Sequence, residues 1–373
     1  MNRKHRIAAG IATLAVAALA IRLLVTESGR FRDVHRFDAG ALRWSDVAFA
    51  TRGWLVSDPS AGFRAQQFVH FVKESAALGV PTATESFDVT TKAFGLLHSP
   101  DLDAELRGPR ILLLGDEQCF AGARESDRIA ARVEAALRTR HPSLADLTVF
   151  DASCPRSALL DRVLRAPQWI AAIRPHVVVV VIATGDDALG FDDPSSVHFD
   201  EILDPRAPRS PPNDDPFGLS SRAAEFAPGH PGLVAHDLGQ AALLGGRVGA
   251  LDALPERWRR CLQSLRAVAP RNGLLCVLVP SVSVARRAEV LPLLTPAGRE
   301  LADAEVNRQV HDSLLAALDS MHVAWLDALP IVSTAVTSRT GDVYRTNGCL
   351  GAAGHAAVGD RIAERLAFTL RVR

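Results

Sequence analysis

An excess of charge of either sign is missing from this chain: 42 Lys and Arg balance 42 Asp and Glu over 373 residues. That balance speaks against nucleic-acid binding, which leaves a basic surplus. The five cysteines (Cys119, Cys154, Cys261, Cys276, Cys349) form no Cys-x-x-Cys pair and no zinc-ligand spacing. Their odd number leaves at least one free or paired between chains. The histidines His5, His35, His70, His98, His141, His176, His198, His230, His236, His311 and His322 are scattered without ligand spacing. No internal repeat is visible, only the stretch 204–216 is compositionally biased, and nothing calls for a cofactor.

What is present begins at the amino terminus. Residues 1–6 are basic through Arg3, Lys4 and Arg6, and residues 7–21 form an uncharged, almost wholly apolar run closed by Arg22. A positive flank before a short apolar stretch is the pattern of an export signal. Ala18, Leu19 and Ala20 offer a cleavage site. Alternatively, Arg22 snorkels to the far interface and the run stays as an anchor with the amino terminus inside. Either way the remainder is expected to be extracytoplasmic, anchored or secreted after cleavage. Residues 1–26 are read as this signal or anchor, 27–105 as an extension packing on the domain, and 106–373 as the domain.

At 48% hydrophobic and 23% charged, the chain can fill one large or two modest cores. It is organised around 110–122. Ile111, Leu112, Leu113 and Leu114 make a continuous apolar run of the length expected of a strand buried on both faces. Gly115 breaks it, and Ile129, Val133, Ala136 and Leu137 then share one face of a helix expected over 125–140. The alternation continues: strands at 147–150, 177–182, 273–280 and 323–327, and helices around Leu159 to Leu164 and over 256–268, 301–321 and 352–370. This is the pattern of an α/β fold with a parallel central sheet and right-handed crossovers. Sites in such folds lie at the carboxyl ends of the strands. Residues 191–254 read as a long insert over that end; prolines bar regular structure in 204–216, and 233–244 reads as a short helix. Residues 27–108 show no regular pattern.

The apolar strand, Gly115-Asp116 and the helix behind them resemble block I of the SGNH/GDSL hydrolases, which reads Gly-Asp-Ser after its strand. Asp58-Pro59, Gly62, Phe63 and Arg64, following Trp54, resemble the lead-in that precedes block I in long bacterial members, as do Ala93-Phe94-Gly95-Leu96. Asn347-Gly348-Cys349-Leu350 with Gly354-His355 resembles block V and its closing helix, in a register set by Leu350, Gly354 and His355. The resemblance runs from about residue 54 to the carboxyl terminus and implies a three-layer αβα SGNH-hydrolase-like fold. It implies the nucleophile position at Glu117 and the block II glycine at Ser153. The block III asparagine falls at Gly185, or at Asp186 with a one-residue shift. The triad aspartate falls at Asn347 and the triad histidine at Cys349. No member of the reactive set is retained. A carboxylate lacks the hydroxyl of acyl transfer, a thiol is no substitute for imidazole near neutrality, and carboxylates repel a developing oxyanion.

The expectation is therefore a catalytically inactive member, exported and membrane-tethered, that binds a cell-envelope glycan, lipid or protein partner. The alternative is a hydrolase of ester bonds with unconventional residues, Ser153 or Ser157 being its nucleophile. A third reading is an assembly component whose cleft is plugged by 204–216. Asp116, Glu117, Asp186 and Asp187 are candidates for holding a hard cation or for acid–base work; the preferred reading has Asp116 bracing its loop and the others solvated. Cys119, Cys154 and Cys349 would ring the former site, so Cys154–Cys349 or Cys119–Cys154 is a possible disulfide, against three separate buried thiols. In the family the second histidine, here His355, starts the closing helix and serves structure.

Overall fold

A computed structural model of the chain describes residues 35–42, 50–51, 55–58, 62–78, 80–155, 157–190, 218–247, 249–271, 273–303, 305–335 and 342–371. The expected export segment, Trp54, Pro59 and the proline-rich 204–216 lie outside the described residues.

The amino-terminal part contains two antiparallel units, β1 (Ala50–Thr51), β2 (Leu55–Asp58) and β3 (Gly62–Ala65) forming one, β4 (His70–Ala77) and β5 (Val80–Thr90) the other. The domain strands are β6 (Arg110–Leu114), β7 (Thr148–Asp151), β8 (Val177–Ala183), β9 (Leu274–Val279) and β10 (Ala324–Asp327). They pair in the order β7-β6-β8-β9-β10, all parallel. The chain order reverses between β6 and β8, so the carboxyl ends of these two strands flank the crevice where doubly wound sheets place ligands. The helices used below are α1 (Ile129–Arg140), α2 (Leu159–Ile173), α3 (Thr184–Gly190), α4 (Gly239–Gly246), α5 (Ala250–Val268), α6 (Pro296–Asp303), α7 (Val306–Ser320) and α8 (Ala352–Arg371).

Alternation along each strand divides the core. Ile111, Leu113, Val149, Val179 and Val277 pack on one side with Ile129 and Val133 of α1 and Ile362 and Leu366 of α8. Leu112, Phe150, Val180 and Leu278 pack on the other with Trp169 of α2, Trp258 and Leu262 of α5 and Leu314 of α7. The chain thus has helices on both faces of a parallel sheet. Every residue of β8 is buried, which is why its sequence reads as an unbroken β-branched run.

Some boundaries differ from the sequence reading. Residues 125–127 form a separate turn of 3-10 helix and the α-helix starts at Ile129, so the expected helix over 125–140 is broken at Arg128. The long helix expected over 301–321 is two helices, α6 and α7. The larger correction lies in the amino-terminal part. Residues that looked irregular form the long hairpin β4–β5, on which the polar His70, Glu74, Ser86 and Asp88 are exposed. Phe87 and Val89 bury inward from it. Arg345, almost fully buried, clamps it: its Nη2 donates to Glu85 at 2.7 Å and its guanidinium lies 4.3 Å over the Phe87 ring. Arg128 Nη2 donates to the Asp88 carbonyl at 2.5 Å.

Candidate functional site

β6 runs into Gly115, and Asp116 caps a short turn, Glu117–Cys119, by accepting the Gln118 N–H at 3.0 Å. Gly115 is required by space, because the Cys119 sulfur lies 2.1 Å from where a Cβ would stand. The side chain of Gln118 ties this turn to the 347–350 loop: its Nε2 donates to the Gly348 carbonyl at 3.1 Å and its Oε1 accepts the Leu350 N–H at 2.9 Å. One residue earlier, the Glu117 carboxylate forms an ion pair with the Lys73 ammonium of β4. The hairpin thus delivers a cation to the position where the resemblance puts a nucleophilic hydroxyl.

The 347–350 loop supplies no base. Asn347 Oδ1 accepts the Cys349 N–H at 3.1 Å, and Cys349 is buried. Burial and then the Glu117 charge push its thiol well above the ordinary range, with Lys73 opposing. Its sulfur is therefore a neutral thiol, neither a base nor a nucleophile.

Beneath the turn lies a buried charge cluster. Arg162 of α2, about 2% exposed, bridges Asp116 at 3.4 Å and Asp187 at 2.8 Å. It also donates to the Val181 carbonyl at 2.6 Å, to the Ser157 carbonyl, and to Ser157 Oγ at 3.4 Å. Four hydrogen bonds, to Val181, Asp187 and Ser157 (carbonyl and hydroxyl), and the ion pair to Asp116 thus hold the guanidinium. Asp187 Oδ2 additionally accepts the Ala183 N–H at 2.9 Å. Burial pushes Asp187 up to about 7 and Asp116 up to about 6, with Arg162 opposing.

The insert closes the other side. Asp186 accepts from the Gln240 amide and faces His236 Nδ1 at 3.3 Å. Gln240 is buried, and its Oε1 lies 2.3 Å from where a Cβ on Gly185 would stand. The glycine at the block III position is thus matched by a side chain arriving from the insert. His236 sits on a π-helical turn, Val234–Leu238, rather than in a regular helix through 233–244, and wide turns of this kind recur at functional sites. Its Cβ lies 3.3 Å from where a Cβ on Gly348 would stand. The turn is pinned from below by Asp237, fully buried, which accepts from Ser283 N, Ser283 Oγ and Asn307 Nδ2, each at 2.6 Å.

The structure therefore gathers Asp116, Glu117, Gly185, Asp186, Asp187, Asn347 and Cys349 about the carboxyl ends of β6 and β8. It does not bear out their use as a cation site. Asp116 and Asp187 face Arg162, Glu117 faces Lys73, and Asp186 faces Gln240 and His236. Among the described residues no group of three His, Cys, Asp or Glu side chains suits a metal. Nor are the others solvated: Glu117 and Asp187 are buried. The disulfide is also corrected, since all five cysteines are buried free thiols. Ser153 and Ser157, offered as alternative nucleophiles, are about 1% and 2% exposed. The Ser153 N–H donates to Asp151 at 2.9 Å and the Ser157 hydroxyl to the Gly115 carbonyl at 2.9 Å. His355 is buried in the first turn of α8, 3.1 Å from the Ala121 carbonyl, and burial lowers it to about 4. Sequence reasoning missed Lys73, Arg162, His236 and Gln240, none of which stands in a motif.

The match between Gly185 and Gln240 is testable. Gly185→Asn drives a new side chain into the Gln240 amide and costs about 1–3 kcal/mol; adding Gln240→Ala restores most of it. Denaturant unfolding of the two single variants and the double variant gives the coupling. Additive costs would show that the two positions do not meet.

No protein-family model matches the sequence, and no curated protein matches it. Solved structures do. They include the acetyl xylan esterase AlAXEase, at 12% identity, covering 69% of this chain and 99% of that one, with a TM-score of 0.40. A lipase/acylhydrolase from Enterococcus faecalis follows at 11% identity, with 70% and 96% coverage and a TM-score of 0.39. The carbohydrate acetylesterase Est24 from Sinorhizobium meliloti stands at 14% identity, 70% and 99% coverage and a TM-score of 0.34.

Proposed function

We propose that this chain is a degenerate SGNH-type protein, exported and tethered to the membrane, that has given up serine chemistry and uses the crevice to bind a cell-envelope glycan, lipid or protein. The observation that carries the reading is the Glu117–Lys73 ion pair at the nucleophile position. A serine hydrolase needs there a hydroxyl, a nearby imidazole and free N–H donors for the oxyanion. Here the hydroxyl is replaced by a paired carboxylate and the imidazole by a neutral thiol. The Gln118 and Ser153 N–H groups are already bonded to Asp116 and Asp151. Export and tethering rest on the basic and apolar pattern of residues 1–26; among the described residues no helix is long and apolar enough to cross a membrane.

A second reading, an ester hydrolase with unconventional residues, is favoured by one contact: Asp186 beside His236 is an acid–imidazole pair brought in by the insert. Turnover of a short-chain aryl ester by the full chain separates the two readings. No turnover is expected, and none lost in His236→Ala. Turnover abolished by His236→Ala and retained in Lys73→Ala would replace the first reading with the second.

A further inference from the structure

The charge cluster below the crevice has a stoichiometry that the binding reading does not use. Two carboxylates, Asp116 and Asp187, share one guanidinium, and all three groups are buried. The other charged or titratable groups facing them do not supply a second cation. Asp116 faces Asp186 of α3 and Glu117 of its own turn, and Glu117 is already matched with Lys73. Asp187 faces Asp116 and Asp186, while the Cys261 thiol of α5 and the Cys119 thiol of the turn are uncharged neighbours of Asp187 and Arg162. With both carboxylates ionised the cluster carries a net negative charge in a buried site, which is costly unless a proton neutralises it. Asp187 Oδ1 is the atom most exposed to that cost: it is buried and makes no hydrogen bond among the described residues.

We propose that Asp116, Arg162 and Asp187 form a proton-operated latch beneath the crevice, in which one proton shared by the two carboxylates seats the turn that carries Glu117 and its release loosens that turn. The lever is short. Asp116 is the cap of the turn, Glu117 follows it, and Gln118 links the turn to the 347–350 loop through two hydrogen bonds. Loosening Asp116 therefore reaches both walls of the crevice and Lys73 of the hairpin. The raised pKa values of both carboxyls agree with a group that titrates near neutrality. The inference concerns regulation of the crevice and does not depend on which ligand occupies it.

Infrared difference spectra of the full chain, taken from about pH 5 to about pH 9, read the proton directly. A buried carboxylic-acid carbonyl stretch is expected at the acid end, lost as pH rises past neutrality, and removed or shifted in both Asp187→Asn and Asp116→Asn. Amide hydrogen exchange supplies the mechanical readout. Residues 115–120 are expected to gain about tenfold in exchange relative to the amides of α1 over the same range, and to lose that dependence in Asp187→Asn. A wild-type spectrum without such a band at the acid end would overturn the proposal, as would turn amides that track α1 at every pH. Should Asp187→Asn fail to fold, loss of the band in Asp116→Asn still decides, since buried Asp237, itself raised to about 6, gives a band that this substitution leaves in place.

Discussion

Arg162→Leu is expected to lose about 3–5 kcal/mol of stability, because it strands two buried carboxylates and two carbonyl acceptors that its guanidinium now satisfies. That loss is a large part of the roughly 5–15 kcal/mol available to a domain, so much of the variant should be recovered unfolded or aggregated. Arg162→Lys should recover only a fraction. One ammonium cannot span Asp116 and Asp187, which the guanidinium reaches through different nitrogens. The telling variant combines Arg162→Leu with Asp116→Asn and Asp187→Asn. Removing all three charges removes the uncompensated ones too, and should return most of the stability without restoring any ion pair. Urea unfolding of the series checks this; a triple variant no better than Arg162→Leu would mean that the arginine acts by packing alone.

The cluster also fixes a sign for pH. Asp116 and Asp187 have native pKa values raised to about 6 and about 7 from an ordinary 3.8. The native state therefore holds protons that the unfolded chain has released. Their contribution is fully present below the ordinary carboxylate value and is lost as pH rises and the pair titrates, between about 6 and about 7. His355 works in the opposite direction. Lowered to about 4 by burial, it contributes above the ordinary 6.5 and loses that contribution as pH falls toward 4. In Asp187→Asn the decline in unfolding free energy between about pH 4 and about pH 7 should be shallower, by at most about 1.4 kcal/mol per pH unit for the single proton removed.

Much of the scaffold was legible because its strands are short apolar runs bounded by glycine or polar residues. Residues 111–114, 177–182 and 274–279 lie where the sequence placed them, at the centre of a parallel sheet. The amino-terminal hairpin was hidden because β4 does not alternate apolar with polar residues as a half-buried strand should: Lys73 and Ser75 lie on its more buried side. In β4, His70, Val72 and Glu74 face outward, and the apolar Val72 is about half exposed. The crevice was half legible. Gly115, Asp116 and the convergence of the aspartates follow from the order of strand ends. The groups that answer them do not. Lys73 lies 44 residues before Glu117, and His236 lies 50 residues after Asp186. Arg162 stands between Leu160 and Val163 on a helix whose apolar spacing gives no hint that a cation faces inward with them. A strand end predicts where a carboxylate goes; it says nothing of which distant element brings the countercharge.

Asp237→Ala is the second large effect expected, and it separates the insert from the sheet. The carboxylate accepts three hydrogen bonds at 2.6 Å in a fully buried site, two from Ser283 and one from Asn307. Bonds to a charged acceptor are the strong class, and truncation also leaves buried donors without acceptors. A loss of about 3 kcal/mol or more follows. Asp237→Asn should not be silent either. Whichever way its amide turns, its NH2 meets a donor, the Ser283 N–H in one orientation and the Asn307 amide in the other, so a cost of about 1–2 kcal/mol is expected. What distinguishes Asp237 from an ordinary core group is where the damage appears. It shares its π-helical turn with His236, and α4 behind it carries Gln240, so both contacts to Asp186 hang on this anchor. Hydrogen exchange should show residues 234–246 opening in Asp237→Ala at denaturant concentrations where the amides of β8 remain protected. If the two regions open together, the insert is one cooperative unit with the sheet, and the crevice has a fixed wall where this anchoring predicts a separable one.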